Sequence, residues 1–241
     1  MAEEPSEYQR RLRGALRSLL SQGVWLTIVF ELGVSALPQT AALEPLGSGK
    51  FAILGVVAAI AVYLQAGTML ALARGRDVVA IPEVLLGGRL VFPRFVWLML
   101  KTGLLFLVIL NVALLGLNAA GAIDIEDKDA VPVFAAVMTV AIVPLKYLLA
   151  YWLPWVFTRQ DFRLVASLQA ALRTAWQRFT RAGLFLALLL LLPGSVLVSL
   201  SPQAPLLLLT AVMLAAMVLD WIAYAYCVEA VREEPATAPS P

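Results

Sequence analysis

The chain has 241 residues, 61% hydrophobic and 14% charged, with a net charge of +2 and a mean hydropathy of +0.87. A soluble domain carries about a quarter charged residues. Here the apolar residues run nearly unbroken over lengths that match the hydrocarbon core of a bilayer, so a water-soluble globular fold is excluded and an all-α polytopic membrane bundle is expected.

The breaks between apolar runs divide the chain into six expected spans, at 19–37, 51–73, 96–120, 131–157, 183–200 and 205–228. Pro38 and the turn EPLGSGK separate the first two, DIEDKD (124–129) is too charged to remain in lipid, and SPQAP (201–205) splits the last pair. The first run follows a basic segment, as a signal peptide would, and VSA resembles a cleavage site. Glu31 interrupts its apolar stretch, so it is read as a span. Residues 1–228 form one membrane domain on this reading, and 229–241, ending in the Pro/Ala-rich REEPATAPSP, form a disordered tail.

The distribution of cations sets the orientation. Arg10, Arg11, Arg13 and Arg17 precede span 1. Arg74, Arg76, Arg89, Arg94 and Lys101 lie between span 2 and the start of span 3. Arg159, Arg163, Arg173, Arg178 and Arg181 lie between spans 4 and 5, and Arg232 follows span 6. That puts 15 of 18 cations on one side, so both termini are expected in the cytoplasm. Fourteen arginines against four lysines, with abundant Ala and Leu, point to a GC-rich bacterial genome and hence to a bacterial inner membrane.

The segment DFRLVASLQAALRTAWQRFTRAG (161–183) has Val165, Leu168, Leu172, Trp176 and Phe179 at spacings of three and four, which predicts an amphipathic helix. Arg163, Arg173, Arg178 and Arg181 fall opposite that stripe. Such a helix lies in the membrane interface and attracts anionic lipid headgroups on the cytoplasmic side. The expected lipid or partner contacts are therefore Arg163, Arg173, Arg178, Arg181 and Trp176. GALRSLLSQ (14–22) echoes AALRTAWQR (170–178), and PEVLLGGRLVFPRF (82–95) holds the equivalent place before span 3, although two glycines and Pro93 make it a poorer helix. Either a repeated unit of interfacial segment plus hairpin or the common demand for Leu/Arg amphipathicity produces the echo.

The stretch LPWVFTRQDFRLVASLQAALRTAWQRFTRAGLFLALLLLLP resembles bacterial six-span proteins of the YciC-type and glycerophosphodiester phosphodiesterase membrane-domain-like group, with Thr174 where a serine is common. The resemblance centres on residues 150–195 and implies a six-span fold with a cytoplasmic helix between spans 4 and 5. It implies no particular activity.

Ionisable residues inside spans cost about 2.5–3.5 kcal/mol on insertion scales and mark internal contacts. Three stand out: Glu31, Lys146 and Asp220. Lys146 and Asp220 are each the sixteenth residue of an inward-running span, which predicts equal depth and an ion pair between neighbouring helices. Glu31 should lie about 8–12 Å nearer the outer surface by helical rise. Asn111 and Gln65 are further interior candidates. Lys146 reads as a packing ion pair, as a water-accessible polar site beside the backbone freed by Pro144, or as a snorkelling cation.

No catalytic constellation is visible. The chain has no histidine, which excludes H-E-x-x-H zinc sites and Ser–His dyads, and its single cysteine, Cys227, excludes an intrachain disulfide. An intramembrane aspartyl site needs two carboxylates at one depth, and only Asp220 is expected there. GSGK (47–50) lacks the earlier glycine of a phosphate loop. Cys227 has no second thiol and reads as packing. The expectation is thus a non-enzymatic protein with no cofactor, metal or nucleic acid, organising membrane or serving as an accessory subunit. A protein partner or a second copy could take part. The alternative is a small carrier or channel with a midplane site at Lys146 and Asp220. A lipid-modifying enzyme comes third, since Asp77, Glu83 and Asp161 are scattered.

Overall fold

In lipid, a backbone must satisfy its hydrogen bonds within each segment, which favours helices wherever apolar runs are long. The computed structural model describes residues 7–36, 47, 49–121, 147, 149–178 and 206–233, and every regular element named among them is α-helical. These are α1 (Glu7–Ser18), α2 (Gln22–Ala36), α3 (Gly49–Ala73), α4 (Ile81–Ala119), α5 (Trp152–Arg159), α6 (Leu164–Gln177) and α7 (Leu206–Arg232). Three helices are long and apolar enough to cross a membrane: α3, α4 and the Leu208–Arg232 part of α7. The bent pair of α1 and α2 makes a fourth if it counts as one span. Most of the expected fourth span (131–146) and all of the fifth (183–200) lie outside the described residues.

Within the first expected span, 19–37, Gln22–Ala36 form one helix, α2, and the break falls at its start. The chain breaks at Leu19–Ser21 and α2 leaves at 69° to α1. The break is held by the α3–α4 turn: the Val79 amide donates to Ser21 Oγ at 2.9 Å and the Gly23 amide donates to the Val79 carbonyl at 3.0 Å. Ala15 and Ser18 of α1 are buried, Leu16 is exposed, and its arginines mostly face out. Arg11 is the exception. Its buried guanidinium and that of Arg10 both reach the Glu233 carboxylate at the end of α7, Arg10 at 2.8 Å. Tyr8 and Tyr226 add a ring contact at 6.1 Å. The start of the expected tail is therefore structured: residues 229–232 are helical, and Glu233 anchors α1.

The expected division between a weak segment at 82–95 and a span from 96 does not exist. α4 runs through both for 39 residues, about 58 Å at helical rise, with Pro93 inside it. Gly87 and Gly88 weaken a helix in isolation, but here they let α4 meet α3 backbone to backbone. A Cβ on Gly88 would come 2.8 Å from the Tyr63 ring, and one on Gly67 would strike the Val84 carbonyl. Small residues at a crossing of membrane helices serve this close approach. Tyr63 adds a donated hydrogen bond to the Leu85 carbonyl at 2.5 Å and an edge contact with Phe92.

Within the amphipathic segment expected at 161–183, one helix is described. α6 covers Leu164–Gln177, and its buried face is Ser167, Ala171, Thr174 and Ala175. That face packs with Tyr151, Trp152 and Cys227, and Trp152 Nε1 donates to Ser167 Oγ at 2.9 Å. Val165 is 67% exposed and Trp176 81%, whereas Leu164 and Leu168 are partly buried against the same interior. A left-handed Gln160 (φ 53°) makes the corner between α5 and α6.

Candidate functional site

The helices α2, α3 and α7 meet around a cavity of about 420 Å³. Their registers are fixed at one end. Thr27 Oγ1 on α2 and Thr68 Oγ1 on α3 share a hydrogen bond of 2.8 Å, and Thr27 also donates to the Gly23 carbonyl. On α7, the Tyr224 hydroxyl donates to the Met69 carbonyl of α3 at 2.9 Å. Arg232, at the end of α7, lies over Gly75, where any Cβ would meet its guanidinium. The start of α2, the end of α3 and the end of α7 thus lie beside the same α3–α4 turn.

Counting inward from those ends gives the depth of the polar residues in the cavity. Glu31 lies nine residues beyond Gln22, Gln65 eight before Ala73 and Asp220 twelve before Arg232. At helical rise these are about 14, 12 and 18 Å, close to half the thickness of a hydrocarbon core. All three residues line the cavity, together with Ser35, Trp221 and Tyr224; Ala58, Ala61, Val62 and Met217 supply much of its apolar wall. The Trp221 indole donates to Glu31 Oε2 at 3.3 Å, and Ser35 Oγ donates to the Glu31 carbonyl.

This arrangement revises the depth reading. Glu31 and Asp220 line one cavity, so two carboxylates from different helices share a site that sequence spacing had separated. Lys146 lies outside the described residues, and the predicted Lys146–Asp220 pair with it. Asn111 stands apart: it is exposed on α4, and its Nδ2 donates to the Leu107 carbonyl one turn earlier at 2.7 Å. Gln65 joins the site as an interior polar residue. Trp221 was not singled out from sequence, although an indole next to Asp220 in an apolar run is a visible signal. Cys227 is fully buried in the packed interior.

The basic residues expected at the interface divide three ways. Arg163 caps the start of α6 and grips Asp161 with both Nε and Nη2, at 2.9 and 2.7 Å. Those donated bonds hold the Asp161 carboxyl below its ordinary range and raise the guanidinium of Arg163. Arg173 and Trp176 are exposed, whereas Arg178 is half-buried at the end of α6. Arg181 lies outside the described residues. Among the described residues no group of three or more His, Cys, Asp or Glu side chains could hold a metal. No protein-family model matches the chain, and no curated protein or solved structure matches it.

Proposed function

We propose that this membrane protein is a small carrier that admits a cationic or hydrogen-bonding solute to the Glu31–Gln65–Asp220 cavity. One observation supports the reading: three helices contribute two carboxylates and an amide to a single space at mid-membrane depth. A largely apolar cavity with a few convergent polar groups is the usual form of a small-molecule site. Glu31 is half-buried and Asp220 exposed toward the cavity; carboxylates at membrane depth are expensive, and a cation among them offsets that cost. The adjacent packed aromatics, Trp221 and Tyr224, give the cavity a firm wall. On this reading six spans cross a bacterial inner membrane with both termini in the cytoplasm. The closeness of Arg10 and Arg11 to Glu233 supports a common side for the two ends.

The test is ligand-dependent stabilisation of the purified protein by a panel of inorganic cations and small alkylamines. A panel member should raise Tm in the wild type, and Glu31→Gln and Gln65→Leu should each weaken that shift at least about tenfold in concentration. If no panel member moves Tm, or if both variants respond as the wild type does, the carrier reading fails. A second reading, an accessory subunit that organises membrane or a complex, draws on the outward stripe of Val165, Leu172 and Trp176 on α6. That stripe offers apolar surface on the side away from the packed bundle.

A further inference from the structure

At the corner where α3 ends and α4 begins, a separate cavity of about 160 Å³ opens at the surface. Arg74 and Arg76 stand at its rim, Glu83 lies between them and the start of α4, and Leu86, Gly87 and Leu90 continue its wall along α4. Leu86 is 65% exposed and Leu90 60%, although each sits on a helix long enough to enter the membrane. Arg76 Nε pairs with Glu83 Oε1 at 3.3 Å, and the Glu83 carboxylate also accepts the Ala80 amide. Asp77 lines a neighbouring cleft on the α1 side, which Arg76 also borders.

We infer that this notch holds one anionic phospholipid, its phosphodiester on Arg74 and Arg76 and an acyl chain along Leu86 and Leu90. Two guanidinium groups against one carboxylate leave a net charge of +1. That matches a singly charged phosphodiester without a cationic headgroup, and a zwitterionic lipid brings an ammonium that gains nothing there. A guanidinium has five N–H donors, and the Glu83 contact uses the Nε edge of Arg76, so the fork remains able to bind phosphate oxygens. Gly87 keeps the wall low: its missing side chain allows α4 to lie against Gly67, with the two leucines standing outward beside it. Charged rim above and exposed apolar wall below is the order in which a phospholipid presents phosphate and chain.

The full chain, purified in detergent, is offered long-chain phosphatidylglycerol, phosphatidylcholine of the same chain length, or glycerol 3-phosphate. Native mass spectrometry reads bound lipid and thermal unfolding reads stabilisation. Phosphatidylglycerol should persist as a one-lipid adduct and raise Tm, while the other two do neither. Arg74→Ala should weaken that adduct about tenfold. Arg13→Ala, which removes an exposed arginine on α1 outside the notch, should leave it unchanged. Equal retention of the two lipids would overturn the proposal, as would equal loss in both arginine variants. Equal binding of glycerol 3-phosphate would replace the lipid with a free phosphate ester and reject the acyl-chain contact.

Discussion

Gly67 sets how closely α3 and α4 can approach. Its Cα faces the backbone at Val84 and Gly88, and an added methyl meets a carbonyl that cannot rotate away. Gly67→Ala should therefore separate the hairpin and lower stability by about 2–3 kcal/mol, the upper end of the overpacking range. Gly103→Ala is the matched comparison, because nothing lies within 4 Å of its Cβ position. It should be neutral or stabilising by about 0.5–1 kcal/mol through helix propensity. Thermal unfolding in one detergent compares the two directly, and equal losses would contradict the close-contact account. The residue scale is also where sequence reading was least able to place the site. Depth counted from the ends of apolar runs put Glu31 apart from Asp220. The helices begin and end elsewhere: α2 starts at Gln22 rather than 19, and α7 continues to Arg232 rather than 228. Both offsets move the two carboxylates toward one level, and only packing between helices reveals them.

At the scale of elements, α3 and α7 were legible because long apolar runs bounded by turns have one solution in lipid. α4 was not legible as one helix. Glycine and proline weaken a helix judged alone, so 82–95 looked like a poor one, yet those glycines are the contact surface with α3. On α6 the stripe expected to meet lipid is exposed at Val165, Leu172 and Trp176. Beside lipid, small residues pack inward and bulky ones are free to face out, which is the order seen in Ser167 and Ala171 against Val165 and Trp176. The clasp of α1 on α7 was not legible at all, since nothing local ties Arg11 to Glu233. Glu233→Gln removes the charge that both arginines approach. It should cost about 1–2 kcal/mol, discounted for the partial exposure of Glu233, and loosen α1. Faster tryptic cleavage at Arg13 and Arg17 is the readout, and an unchanged rate would show that the Tyr8–Tyr226 side of the contact holds α1 by itself.

At the scale of the described helices, α1, the α3–α4 turn and the end of α7 gather at one end, and Lys50, the second residue of α3, lies at the other. Cysteines placed singly at Arg13, Asp77 and Arg173 should react with an impermeant maleimide from one side of sealed vesicles, and Lys50→Cys from the opposite side. Native Cys227 should stay silent, because its thiol is fully buried. Labelling of Arg13→Cys and Lys50→Cys from the same side would overturn the shared-end arrangement.

The clasp also orders events during synthesis. Arg11 emerges 222 residues before its partner Glu233. Helix α1 therefore cannot take its final seat until α7 has been made. Until then a strongly basic, amphipathic segment must wait at the membrane surface while the later spans are inserted. Closing so large a loop comes late because its entropy must be met before the contact forms. The joining of α1 to the end of α7 thus follows the insertion of α7: a chain cut short before Glu233 would leave α1 unfastened.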